Sequence, residues 1–182
     1  FQIIYCYNIY QNDLFDRMIK DVANLHFFQG IPQREDLERF ASSGQHSVLV
    51  LDDLMSQCSV SQDICDLFTI FSHHMNFTVF FLVQNLFANG KQFRTISLNT
   101  HHFVLLNNQR DLLQIQVFAT QCFPQQTEYF MDSYKRATSS KFGYLFVDLS
   151  PYRSDEETLY RLRTNILPGE TTTVYLPCDK KF

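Results

Sequence analysis

Apolar positions along this chain follow two rhythms, one suited to strands and one to helices. "QIIYCYNI" at 2–9 is dense in β-branched and aromatic residues and predicts a buried strand. Between 12 and 25, Leu14, Phe15, Met18, Ile19 and Val22 keep helical spacing. Pro32 opens a short helix to about Phe40, and "SSGQ" marks a turn. "HSVLVLDD" at 46–53 is the next strand, and a helix over 60–74 places Ile64, Leu67, Phe68 and Phe71 on one face. The strand "TVFFLVQN" follows, then "ANGK", a weakly patterned segment at 92–99, and the strand "HFVLLNN". Helices are predicted over about 109–122 and 124–137, the second with Pro124 in its first turn. "GYLFVDLS" at 143–150 is another apolar strand that stops at Pro151. A polar loop, "RSDEE", the alternating "YRLRTNI" and a short strand near "TTVYLP" complete the series.

Strands that alternate with helices, several of them continuous apolar runs, predict an α/β layer fold with a parallel sheet covered on both faces. Ligands of open α/β sheets sit at the carboxyl ends of the strands. Three strands end there in polar groups: Asp52-Asp53, Gln84-Asn85, and Asn107-Asn108 with Arg110 close behind. One helix separates the first two strands, which suits parallel neighbours in a βαβ unit. Neighbouring strands would bring Asp52, Asp53 and Gln84 to one sheet edge. A carboxylate there can hold Mg²⁺ through its water shell. A second can orient or deprotonate a water, and a neutral amide can sense a γ-phosphate. The plainer reading of Asp-Asp after a strand is a turn or the N-cap of the next helix.

Composition narrows the classes. The chain has 182 residues, 45% of them hydrophobic, with 19 Phe and no Trp, which suits one globular domain with a substantial core. A net charge of −4 excludes a generally basic nucleic-acid binder, so any contact with DNA needs a local patch or partners. The Phe residues read as core, without the basic interleaving of single-strand binders. Five cysteines, an odd number without a C-x-x-C pair, point to reduced thiols and an intracellular setting. "FTVFFLV" at 77–83 is too short to span a bilayer, so no membrane association is expected. The start at Phe1, inside a strand pattern, leads us to expect a piece of a longer protein.

The motif series carries a resemblance. "VLVLDD" looks like a Walker B strand. The order "LVLDDLM…ICDLFTIFSHHMNFTVFFLVQNLF…GKQFRTISLNTHHFVLLNNQRD…GYLFVDL" resembles DNA-packaging ATPases of the FtsK–HerA superfamily. Those of Polinton/Maverick-like and adintovirus-type elements are nearest, and poxvirus packaging ATPases more distant. The likeness runs from Phe1 to about Glu170. It implies a three-layer P-loop NTPase-like fold of the RecA/ASCE type, with a mostly parallel sheet and helices on both faces, lacking its first strand, P-loop and helix. It further implies ATP and Mg²⁺ as cofactors. Asp52 would be the magnesium carboxylate, Asp53 the residue that activates water, and Gln84 the sensor. Arg94 would act in trans on a neighbour's nucleotide, with Arg110 a second candidate, since a guanidinium matches the spread charge of a transferring phosphoryl group. The partners implied are double-stranded DNA, further copies in a ring, and capsid or portal-like proteins. The location implied is the nucleus, the cytoplasm or the virion.

The departure is as informative. A P-loop needs G-x-x-x-x-G-K-[ST], whose amides and lysine cradle phosphates. The sole Gly-Lys here is Gly90-Lys91, followed by Gln92, and Asn85 stands where the first glycine should. In the resembled family the motif precedes the strand that "FQIIYCYN" matches, so this polypeptide alone should hydrolyse little. The alternative is a non-catalytic remnant or interaction module. Nuclease chemistry at Asp52/Asp53 would need more carboxylates, with Asp148 the obvious addition. His73-His74 and His101-His102 invite zinc, but adjacent histidines diverge and no Cys shares ligand spacing with them. Arg161 and Arg163 alternate on a predicted strand, where they would meet DNA phosphates in a pore or line a solvated edge.

Overall fold

The computed structural model describes residues 1–87, 91–151 and 161–177. The "RSDEE" loop, Gly90 and Cys178 lie outside the described residues, as do the side chains of His73 and Lys91. The chain, for which length suggests one domain, divides into two compact units, Phe1–Asn99 and Thr100–Phe182.

The first unit is a four-stranded, wholly parallel sheet in the order β2-β1-β3-β4. Its strands are β1 (Gln2–Tyr7), β2 (Leu25–Gln29), β3 (Ser47–Asp52) and β4 (Phe77–Leu82). Side-chain alternation sends Leu49 and Leu51 to one face of β3, where they are fully buried with Ile4 and Cys6. Leu37 of α2 (Arg34–Ala41), Ile64 of α4 (Gln62–Asp66) and Ile96 of α6 (Lys91–Leu98) complete that core. The opposite face takes α1 (Asn12–Asp21), whose Phe15 stacks on Phe27 at 4.4 Å and meets Tyr5 and Tyr7 edge-on. Helices thus cover both faces, as the continuous apolar strands require.

Local chemistry sets the boundaries. The Asp36 carboxylate accepts the Gln33 backbone N–H while the Gln33 side chain accepts the Asp36 N–H, a reciprocal cap that starts α2. Ser61 Oγ accepts the Ile64 N–H and caps α4. The helix expected over 60–74 is three consecutive pieces: α4, a π-helical stretch at Leu67–Phe71, and α5 (Ser72–His74). A short α3 (Met55–Cys58) precedes it. The helix expected to Leu25 stops at Asp21 instead, and Asn24 at φ 55° turns the chain into β2, a strand the periodicity misses.

In the second unit, β5 (His102–Leu106), β6 (Tyr144–Asp148), β7 (Leu162–Thr164) and β8 (Thr173–Tyr175) form an antiparallel sheet in chain order. The expectation of a mostly parallel sheet therefore holds for β1–β4 and fails here. The reason is the connection. Two helices, α7 (Leu112–Cys122) and α8 (Thr127–Ala137), stand between β5 and β6, and the second reversal brings the chain back in the opposite sense. Asp111 caps α7 by accepting the Gln114 N–H. Pro124 lies in the turn before α8, not in its first turn. Phe118 and Phe130 pack together, and Phe118 meets Phe103 of β5 at 4.8 Å.

Candidate functional site

β3 and β4 are parallel neighbours with Asp52 opposite Leu82. Asp52, Asp53 and Gln84 therefore lie at the same carboxyl edge, the juxtaposition the strand-end reading required. Asp52 ends β3 half-buried, whereas Asp53 and Gln84 are exposed. Asp53 adopts φ 55°, the left-handed region, and the turn carries Leu54 into the core.

Asp52 has a partner that sequence spacing could not reveal. The Tyr5 hydroxyl donates to Asp52 Oδ2 at 2.5 Å. Tyr5 stands opposite Val50 and Tyr7 opposite Asp52, so all four side chains face the sheet surface that α1 covers. Tyr5 is 8% exposed and braced by Phe15 and Phe27 at 5.7 and 5.9 Å. Burial pushes its hydroxyl pKa well above the ordinary value, and the Asp52 carboxylate adds to the effect through the hydrogen bond and its charge.

Topology marks the same place. α1 covers one face while α2 and α4 cover the other, so the connections diverge between β1 and β3. That divergence is the switch point at which doubly wound sheets bind ligands. Asn8 extends from the end of β1 and accepts a hydrogen bond from Gln57 Nε2 at 3.4 Å. The chain matches no protein-family model, no curated protein and no solved structure. The site is therefore read from its own geometry.

Asp52 Oδ1 makes no hydrogen bond among the described residues, which leaves one hard oxygen at the edge. That donor fits Mg²⁺, which keeps most of its waters and needs one or two protein carboxylates. Among the described residues no cluster of three or more His, Cys, Asp or Glu stands ready to hold a metal by itself. A triphosphate does not fit these residues alone, since the sequence contains no G-x-x-x-x-G-K-[ST] cradle.

The remaining candidates separate. Arg94 is exposed on α6 while its neighbours Phe93 and Ile96 are buried, so its guanidinium faces away from the core. Arg110 is exposed in the second unit, where its backbone N–H donates to Asn108 Oδ1 at 3.2 Å. The polar end of β5 serves packing: Asn107 Nδ2 donates to the Thr138 carbonyl, and the Asn108 N–H donates to the Tyr134 hydroxyl. Asp148, the additional carboxylate of the nuclease reading, is 2% exposed and accepts from Arg163 Nη2 at 2.9 Å and from the Ser150 N–H. It is committed to an internal ion pair. His102 Nε2 lies 3.2 Å from Ser150 Oγ and 3.6 Å from Asp148. Serine and carboxylate thus approach the same ring nitrogen, which rules out a relay through the two nitrogens. Cys6, Cys58 and Cys65 are buried free thiols. No described helix is long and apolar enough to cross a membrane.

Proposed function

We propose that this chain is the C-terminal part of a ring-forming ATPase that translocates double-stranded DNA, with a viral capsid as the destination. One observation carries the reading: an acidic pair at the tip of a parallel strand, in register with a neighbour whose tip bears Gln84. In this reading Asp52 orients the hydrated Mg²⁺, Asp53 accepts the proton of the attacking water, and Gln84 senses the γ-phosphate. Arg94 reaches a neighbouring subunit's nucleotide, and Arg110 is a second candidate for that task. DNA, further copies of the chain and capsid or portal-like proteins are the proposed partners.

The flank of the sheet supports it. β4 is an edge strand among the described residues, yet "FTVFFL" has no charge and no proline. Phe80 is 53% and Leu82 47% exposed on the face they share with Val50 and Asp52. Parallel sheets are covered on both faces, and edges are normally blunted. A further βα unit beside β4 would satisfy both requirements and would deliver a phosphate cradle next to Asp52.

The test is DNA-stimulated ATP hydrolysis by this chain carried in a longer polypeptide that includes a G-x-x-x-x-G-K-[ST] segment. Asp53→Asn should lower turnover by about 10²-fold or more. Unchanged turnover would remove Asp53 from the mechanism. A second reading, an interaction module without catalysis, is favoured by the missing cradle. It predicts no hydrolysis in any such polypeptide.

A further inference from the structure

We propose that Tyr5 is a positioning residue that holds Asp52 as a one-oxygen ligand and thereby sets the edge's preference for Mg²⁺ over Ca²⁺. The inference rests on the reading of Asp52 as the metal carboxylate. Its basis is the hydrogen bond from the Tyr5 hydroxyl to Asp52 Oδ2 at 2.5 Å, which leaves Oδ1 as the oxygen without a protein partner among the described residues. The geometry is fixed from both sides. β1 and β3 are paired along their length, and the Tyr5 ring is wedged between Phe15 and Phe27. Burial keeps the hydroxyl protonated, so it remains a donor across the working pH range.

The consequence is chemical. Ca²⁺ takes six to eight oxygens and gains from two-oxygen binding by a carboxylate, whereas Mg²⁺ accepts one oxygen in a tight octahedron and retains water. A carboxylate whose second oxygen is occupied by a hydroxyl can serve the first geometry poorly and the second well. Removing the hydroxyl frees Oδ2, and the edge can then chelate the larger ion. Partners one step behind a metal ligand typically change affinity by about 10- to 100-fold when lost.

The experiment uses the whole chain with Mn²⁺ as a paramagnetic probe, displaced by Mg²⁺ or Ca²⁺ and read by electron paramagnetic resonance. In the native chain Mg²⁺ should displace Mn²⁺ at least as well as Ca²⁺. In Tyr5→Phe, which keeps the ring and its packing, the Ca²⁺-to-Mg²⁺ effectiveness ratio should rise about tenfold. Asp52→Asn should abolish the bound Mn²⁺ signal. An unchanged ratio in Tyr5→Phe, with binding still lost in Asp52→Asn, overturns the positioning role and leaves the metal reading standing. Mn²⁺ binding that is absent in the native chain, or that survives Asp52→Asn, overturns the metal reading and this inference with it. A second readout needs no change at Tyr5: with ¹³Cζ-labelled tyrosine, the resonance shifted by Asp52→Asn identifies Tyr5. Its carboxylate-bonded shift should persist in saturating Mg²⁺, and its loss there would refute the proposal.

Discussion

Asp53 offers a way to separate the backbone demands of the edge from its chemistry. Its φ of 55° lies where an L side chain crowds the following carbonyl, a cost of about 1 kcal/mol or more that Asp and Asn lessen through local hydrogen bonding. Glycine removes the crowding and gains about 1 kcal/mol in the folded state. It returns most of that through the greater freedom of the unfolded chain, about 0.5–1 kcal/mol. Alanine keeps the crowding and loses the polar side chain that eases it. Both substitutions remove the same like charge beside Asp52, so that contribution cancels between them. Asp53→Gly should therefore match the native chain, and Asp53→Ala should be less stable than Asp53→Gly by about 1 kcal/mol, roughly a fivefold change in the folding constant. Urea denaturation followed by far-ultraviolet circular dichroism measures the difference directly. An alanine variant as stable as the glycine variant would show that the left-handed turn is not what the fold requires. If the order holds, Asp53→Gly is the variant of choice for asking what the carboxylate does, because it leaves the fold intact.

Two further outcomes follow from packing and burial. A Cβ at Gly143 would sit 2.4 Å from the Ala137 carbonyl oxygen and 2.8 Å from Ser140 Oγ. Gly143→Ala should then destabilise the second unit by about 2 kcal/mol, and an unchanged thermal midpoint would contradict the close approach. Burial raises the Cys6 and Cys58 thiols from the ordinary 9.0 to about 12, with the Cys58 and Asp36 neighbours adding to the rise at Cys6. The folded chain holds these protons more tightly than the unfolded one. Stability should be full below pH 9 and fall as pH climbs towards 12, which circular-dichroism melts at successive pH values would show and a flat profile would refute.

Much of the first unit could be read from its residues because its strands are uniform apolar runs separated by helices. "SVLVLD" and "FTVFFL" announced parallel neighbours, and their adjacency followed from the single intervening helix. β2 could not be read that way. "LHFFQ" is five residues long, and a left-handed Asn24, invisible to periodicity, separates it from α1. The antiparallel second sheet was missed for a related reason: an apolar strand looks alike in either sense, and only the count of helices between strands distinguishes them. At the site, the acidic pair and Gln84 were evident from position along the chain. Tyr5 was not, because its meeting with Asp52 depends on the pairing of β1 with β3 across 47 residues of sequence.

The bare flank of β4 also bears on how the polypeptide behaves in bulk. "FTVFFLV" is seven residues of strand-forming side chains without charge, proline or glycine, the kind of segment that stacks into cross-β fibrils once its amides find identical neighbours. The hydrogen-bonding rim that suits β4 to accept a further strand is equally suited to accept another copy of itself. Which of the two prevails is a matter of local concentration, so this sheet ties the solubility of the chain to whatever fills its open side.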